Sequence, residues 1–319
     1  MDTVPSIIEK NPGPGFSFEV LPPLKGRGIE GLFDNVERLM PYKPLYINVT
    51  THRSEIVYKS TSDGLYQKVT ERSRPGTVAV AAALQNRFKI PAVPHLICSG
   101  YTKIETEYAL IDLNFLGINN LLLLRGDKAR HDSTFIPNEG GHAHASDLIQ
   151  QVNQFNDGYL LDGTHMDIQT GVQFCYGVAG YPEKHEESPN ADMDLAMLKA
   201  KVDAGAGYIV TQMFFDNRHY FDFVDKCRKA GINVPIIPGI KPIVGLRQMT
   251  LLPRVFKVDL PQEVAVELMK CRDDNEAKAV GVEWCIEQSR DLIAHGVKSI
   301  HYYSHNATRS VENVVKAVF

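Results

Sequence analysis

The run Leu121-Leu122-Leu123-Leu124-Arg125-Gly126-Asp127 places four leucines in a row and then breaks into a polar turn. Four consecutive leucines cannot alternate between a wet and a dry face. A strand here is therefore buried on both sides, as in a parallel sheet covered by helices. Ile209-Val210 and Ile236-Ile237 repeat the pattern further along the chain. Parallel neighbours need long crossovers, and helix-spaced segments lie where those crossovers are required.

Working outward from this run, strand and helix signals alternate from end to end. Expected pairs are Phe16–Leu21 with Ile29–Met40, Leu45–Thr50 with Val78–Phe88, and Ala92–Cys98 with Lys103–Gly117. Asn120–Gly126 with Ser146–Asn156, Gln173–Gly180 with Asp192–Gly205, and Tyr208–Phe214 with His219–Gly231 continue the series. Pro235–Lys241 is a seventh strand, and Ser299–Ser304 an eighth, closed by a helix from Arg309 to Phe319. Eight such units predict an α/β fold, a (β/α)8 TIM barrel, as a single domain over residues 1–319. A doubly wound open sheet is the competitor, but no G-x-G-x-x-G follows any strand, and no linker divides the chain.

Composition narrows the class. With 44% hydrophobic and 23% charged residues the chain is ordinary globular protein, and a net charge of -4 gives no footprint for nucleic acid. No apolar run is long enough for a bilayer, and no signal-peptide core stands at the N-terminus. Five scattered cysteines without CxxC spacing fit a reducing compartment, so the expectation is a cytoplasmic protein without nucleic-acid or membrane partners. The connections Thr51–Thr77 and Asp127–Ala145 are long enough to be functional lids.

On a barrel the carboxyl ends of the strands carry the chemistry. Alternation in Phe16-Ser17-Phe18-Glu19-Val20-Leu21 puts the aromatics on one face and Ser17 and Glu19 on the other. Glu19 then points into the barrel, where burial favours the protonated form and suits a general acid. A structural glutamate bridging to a barrel lysine or arginine fits equally well. Asp127 either serves a ligand or closes a Gly-Asp turn. His95, inside an apolar strand, reads as a core residue or a ligand. Gln212 is a buried amide that needs partners, supplied by a heterocycle or by backbone. Tyr181 follows the fifth strand, and Lys201 on its helix would by default be a solvated lysine. His131, His142 and His144 lack a neighbouring carboxylate or cysteine cluster, so no metal is expected.

A resemblance rests on motifs in order: Phe16-Ser17-Phe18-Glu19, Val49-Thr50, Pro94-His95-Leu96, Leu124-Arg125-Gly126-Asp127, Ala145-Ser146-Asp147-Leu148, Tyr181-Pro182-Glu183 with His185, Lys201-Val202-Asp203-Ala204-Gly205, Thr211-Gln212 and Pro238-Gly239-Ile240. Together they resemble methylenetetrahydrofolate reductases of the bacterial catalytic-domain type, from Phe16 to His301-Tyr302-Tyr303 and Asn306. The resemblance implies non-covalent FAD, with NADH or NADPH as co-substrate, and reduction of 5,10-methylenetetrahydrofolate by ping-pong hydride transfer, feeding methionine synthesis. It implies flavin contacts at Thr50, His95, Arg125, Gly126, Asp127, His144, Ala145, Tyr181, His185, Asp194 and Lys201. Glu19 and Asp127 would be catalytic, and Gln212 and Gln248 would join them in binding folate. A homo-oligomer is expected. Met197, Ala200 and Leu252 depart from the family pattern, the last replacing an aromatic that packs on nicotinamide and folate. Alternatives are a flavin barrel acting on another cyclic amine, and a flavin-binding partner subunit without catalysis.

Overall fold

The computed structural model describes residues 2–129, 132–166, 173–305 and 307–319. In chain order the elements are α1 (Val4–Lys10), β1 (Gly15–Val20), α2 (Glu30–Glu37), β2 (Ile47–Val49), β3 (Glu55–Ser60), β4 (Tyr66–Glu71), α3 (Thr77–Phe88) and β5 (Ala92–Ile97). Next come α4 (Lys103–Phe115), β6 (Asn120–Leu124), α5 (Ala145–Asn156), β7 (Cys175–Gly180), α6 (Ala191–Asp203), β8 (Tyr208–Thr211) and α7 (Asn217–Lys229). The series ends with β9 (Ile236–Ile237), β10 (Gly239–Ile240), α8 (Gln248–Phe256), α9 (Gln262–Lys270), α10 (Asp274–Ala294), β11 (Ser299–Tyr303) and α11 (Thr308–Val318).

Nine strands follow one hydrogen-bonded order, β10-β11-β1-β2-β5-β6-β7-β8-β9. The pairs β1–β11, β10–β11, β5–β6, β7–β8 and β8–β9 are parallel. β9 and β10 stand at opposite ends of that order, yet only Pro238 separates them in sequence. They are two halves of the expected seventh strand, interrupted where proline offers no N–H to a ladder. The order therefore returns on itself, which is the connectivity of a (β/α)8 barrel.

The chain forms two compact units. One takes Leu21–Phe33 and Val49–Tyr176. Its centre is the β5–β6 pair, with His95 opposite Leu122 and Ile97 opposite Leu124, and Leu121 and Leu123 are fully buried. Helix α4 starts with a capping box in which Thr102 and Glu105 satisfy each other's backbone amides. The connection expected as a loop over Thr51–Thr77 instead contains the hairpin β3–β4, with Val57 opposite Val69. Both strands are largely exposed, so no apolar alternation marks them in the sequence.

The second unit takes Asp2–Val20, Asp34–Asn48 and Gly177–Phe319. The alternation expected in β1 is present: Phe16 packs against Tyr302 and Phe319, with ring centroids 6.1 and 5.1 Å away. Helices α8, α9 and α10 fill the span between β10 and β11, which the sequence pattern left without assigned elements. They enclose an apolar core of Met213, Phe215, Ile243, Leu252, Val258, Val264 and Leu268. Leu252 belongs to this core and is 2% exposed. Among the described residues no helix is long and apolar enough to cross a membrane.

Candidate active site

In the second unit, parallel pairing of β1 with β11 sets Ser17 opposite His301 and Glu19 opposite Tyr303. These residues share one face because side chains alternate along both strands. Glu19 is 4% exposed. Its backbone carbonyl accepts a hydrogen bond from the Ser304 hydroxyl just beyond β11. Its carboxylate meets two imidazoles: His305 Nε2 lies 2.6 Å from Oε1, and His301 Nε2 lies 3.9 Å from Oε2. The first is an ion-pair contact by distance, met obliquely rather than along a straight hydrogen bond.

The two histidines differ in what holds them. The Nδ1 atom of His301 is 2.9 Å from the Ser17 hydroxyl and 3.4 Å from the Asn48 amide nitrogen. An amide nitrogen can only donate, so Nδ1 accepts and the neutral ring carries its proton on Nε2, toward Glu19. His301 is 1% exposed, whereas the His305 side chain is 36% exposed.

Lys241 follows β10 and is buried, its ammonium 3.4 Å from the carbonyls of Tyr303 and His305. Burial holds its amine below the usual value, and the charge of Glu19 opposes that shift. Tyr303 donates its hydroxyl to the Thr211 carbonyl at 2.6 Å. Burial first, then the charges of Glu19 and Tyr181, push this phenol well above its usual range. Glu19 therefore has histidines as its close partners, with a buried lysine near enough to be felt. Two imidazoles and a buried lysine are neighbours that fit a general acid and a bridged structural glutamate alike.

The other expected residues of this unit fall as follows. Gln212 is half-buried, and its side-chain oxygen accepts from the Met213 amide at 2.9 Å. Gln248 accepts from the Val244 amide at 2.8 Å, so its carbonyl end holds the loop that opens α8. Tyr181 meets the His185 ring edge-on at 4.6 Å. Asp194 accepts from the His185 amide and the Ser188 hydroxyl, pinning the loop before α6. Asp194 and Lys201 lie seven residues apart on α6, hence on one face about 10 Å apart along the axis. Glu183 accepts from the Asp259 amide at 2.7 Å and acts as a loop anchor.

In the first unit the ends of β5 and β6 are tied together. The Ser99 amide donates to Arg125 O at 2.9 Å, and its hydroxyl donates to Asp127 O at 2.7 Å. Gly126 has φ +80°, and a β-carbon there would come within 2.9 Å of Ser99 Cβ. Arg125 stacks over Phe135 with its guanidinium carbon 4.8 Å from the ring centre. Asp127 is exposed, while Thr50 and His95 are buried near the ends of β2 and β5. His144 is exposed and N-caps α5, ahead of Ala145. Asp147 accepts from the Ala143 and His144 amides, so a carboxylate already sits at this helix start. His142 is buried against Gln151, with 2.5 Å between Nε2 and Oε1, and His131 lies outside the described residues. Among the described residues no three potential ligands converge on a metal position. A cavity of about 530 Å³ in this unit is lined by Thr51, Arg72, Leu96, Ile97 and Tyr101, with none of the expected site residues among its walls.

Sequence reasoning missed His305 and Lys241. Lys241 ends an apolar strand, the same signal that singled out Glu19. His305 follows β11 in a turn, where no periodicity points to it.

A methylenetetrahydrofolate reductase family model matches residues 5–318. The chain belongs to the methylenetetrahydrofolate reductase family. It is 33% identical to methylenetetrahydrofolate reductase (NADH) 1 of Arabidopsis thaliana over 99% of this chain and 50% of that protein. With 5,10-methylenetetrahydrofolate reductase of Escherichia coli the identity is 32%, over 91% of this chain and 86% of the other. The chain thus spans about half the length of the plant relative and most of the bacterial one. Among solved structures, a Clostridium thermocellum protein described as binding two copies of 5-methyl-5,6,7,8-tetrahydrofolic acid shares the fold, with a TM-score of 0.56. At 14% identity over 98% of this chain and 96% of that one, the likeness concerns the fold alone.

Proposed function

We propose that this chain reduces 5,10-methylenetetrahydrofolate to 5-methyltetrahydrofolate with NADH or NADPH, using non-covalent FAD in a ping-pong reaction that supplies methyl groups for methionine synthesis. The observation that carries the reading is Glu19, a buried carboxyl on a strand face with His305 2.6 Å away. Opening the five-membered ring of the substrate to its iminium requires a proton at a ring nitrogen. A buried carboxyl kept in contact with imidazole can hold and deliver that proton.

FAD, when bound, would supply the hydride carrier between nicotinamide and folate. The flavin contacts named from the resemblance form part of this proposal, and several suit a heteroaromatic ring. Thr50 and His95 are buried polar side chains near the strand ends, and Gly126 keeps the backbone after β6 bare of a side chain. The start of α5 suits a pyrophosphate less well than its amides alone suggest, because Asp147 already places negative charge there. Asp127, exposed after β6, would stabilise the cationic iminium, and Gln212 would orient the pterin by its amide.

The test is the absorption spectrum of the purified protein. It should be yellow, bleach with NADH or NADPH without oxygen, and regain colour on adding 5,10-methylenetetrahydrofolate. A protein that binds no flavin, or that stays bleached with folate present, refutes the reading.

A further inference from the structure

We propose that His305 is the proton relay for Glu19, carrying protons between solvent and the buried carboxyl; this rests on Glu19 being the acid of the reaction proposed above. With a side chain only 5% exposed, the Glu19 carboxyl has little direct contact with water. Once it has given its proton away it is a buried anion, which is costly to keep in that state. It must therefore be reprotonated through a neighbour before the next turnover.

Groups that face Glu19 include His301 and Tyr303 on β11, Ser304 and His305 just after it, and Lys241 after β10. His301 is buried, and its Nδ1 meets Ser17 and Asn48, which are themselves buried, so this ring opens no path to solvent. The Tyr303 hydroxyl is spent on the Thr211 carbonyl. Ser304 bonds the backbone of Glu19, not its carboxylate. Lys241 is 8% exposed, and its ammonium bonds two carbonyls. Among these groups His305 combines a 2.6 Å contact to the carboxylate with a side chain 36% exposed.

Imidazole suits the task because it can take a proton on one nitrogen and release another from the second. In the relay a solvent acid protonates His305 Nδ1, giving the imidazolium. The proton on Nε2 passes to Glu19 Oε1, leaving a protonated carboxyl and a neutral ring with its proton on Nδ1. Nε2 is buried against Glu19, so the ring resets by swinging toward solvent, where Nε2 takes up a proton and Nδ1 releases one, restoring the starting tautomer. One proton enters for each proton that Glu19 delivers, and no electrons change hands.

The test uses the flavin-loaded protein and two measurements. In His305→Ala, reoxidation of the reduced protein by 5,10-methylenetetrahydrofolate should slow on the order of tenfold, less than loss of the acid itself would cost. The rate should climb again with imidazole added to the buffer, while the wild type ignores imidazole. A His305→Ala rate equal to wild type, or a slow rate that imidazole leaves unchanged, overturns the relay. Separately, in protein carrying 15N-histidine, the resonance lost in His305→Ala should move in Glu19→Gln. If it stays in place, the pair does not exist in solution and the proposal falls. A wild-type protein inert to the folate would refute the reaction, whereas the nitrogen spectra judge the pair on their own.

Discussion

Gly239 stands so close to Tyr303 that a β-carbon at this position would lie 2.6 Å from the tyrosine ring and 2.3 Å from the Thr211 carbonyl oxygen. The glycine of Pro238-Gly239-Ile240 is required by space rather than by backbone angle. It leaves room for the Tyr303 ring beside β10 and for its hydroxyl to reach the Thr211 carbonyl. Gly239→Ala is expected to displace that ring and cost about 1–3 kcal/mol, as overpacking of a filled interior does. A urea titration reads the loss directly. A midpoint equal to wild type would mean that Tyr303 has room to move and does not fix the wall beside Glu19.

Glu19→Gln keeps the shape of the side chain and removes its proton. Reoxidation of the reduced protein by 5,10-methylenetetrahydrofolate should fall by about 10²–10⁴-fold, the usual worth of a general acid. Stopped-flow absorbance separates this step from reduction by nicotinamide, which needs no proton from Glu19. Near-normal turnover of the folate in Glu19→Gln would remove Glu19 from the chemistry.

The facing of β1 was legible in the sequence because strand periodicity is strict. Phe16 and Phe18 against Ser17 and Glu19 assigns both faces of β1, and both assignments hold. Continuous apolar runs identified the parallel strands, since Leu121–Leu123 face helices and barrel alike. The hairpin β3–β4 stayed hidden because neither of its faces is buried. His305 stayed hidden for a different reason: it acts from a turn, and its meaning depends on a parallel pairing that brings residues 286 positions apart together. Leu252, a departure from the family pattern, lies in the core that α8, α9 and α10 enclose.

Asp127 offers a test of the electrostatic part of the proposed reaction. An anion beside the flavin disfavours the reduced, anionic ring, so Asp127→Asn should raise the flavin potential. The same change should slow folate reduction, because the cationic iminium loses its counter-charge. The competing reading is a turn residue, and Asp127 does have its carbonyl held by Ser99 while its side chain is exposed. Asparagine fits such a turn almost equally well. A potentiometric titration with an unchanged midpoint, together with unchanged folate reduction, would leave Asp127 as a turn residue.

Stability should fall in alkali through specific buried thiols and phenols. Burial pushes the Cys285 and Cys98 thiols up from 9.0 to about 12, and the Tyr46 hydroxyl up from 10.0 to about 12. These folded values are raised, so the stability they contribute is complete below the unfolded values and is lost as pH rises toward the folded ones. Above pH 9 the unfolded chain releases protons that the folded chain still holds, and unfolding becomes progressively easier. At pH 10 a single such thiol costs roughly 1 kcal/mol. Lys241 works in the opposite direction, because its amine is lowered and its neutral form is favoured as pH rises. One amine cannot offset two thiols and a phenol, so the net slope is negative. Urea midpoints measured at pH 7, 8, 9 and 10 should be level to about 8 and then decline. Cys285→Ala should make that decline shallower even though it enlarges a core cavity and lowers the midpoint at pH 7. An equally steep decline in Cys285→Ala would show that this thiol already ionises in the folded protein and contributes nothing to the alkaline limit.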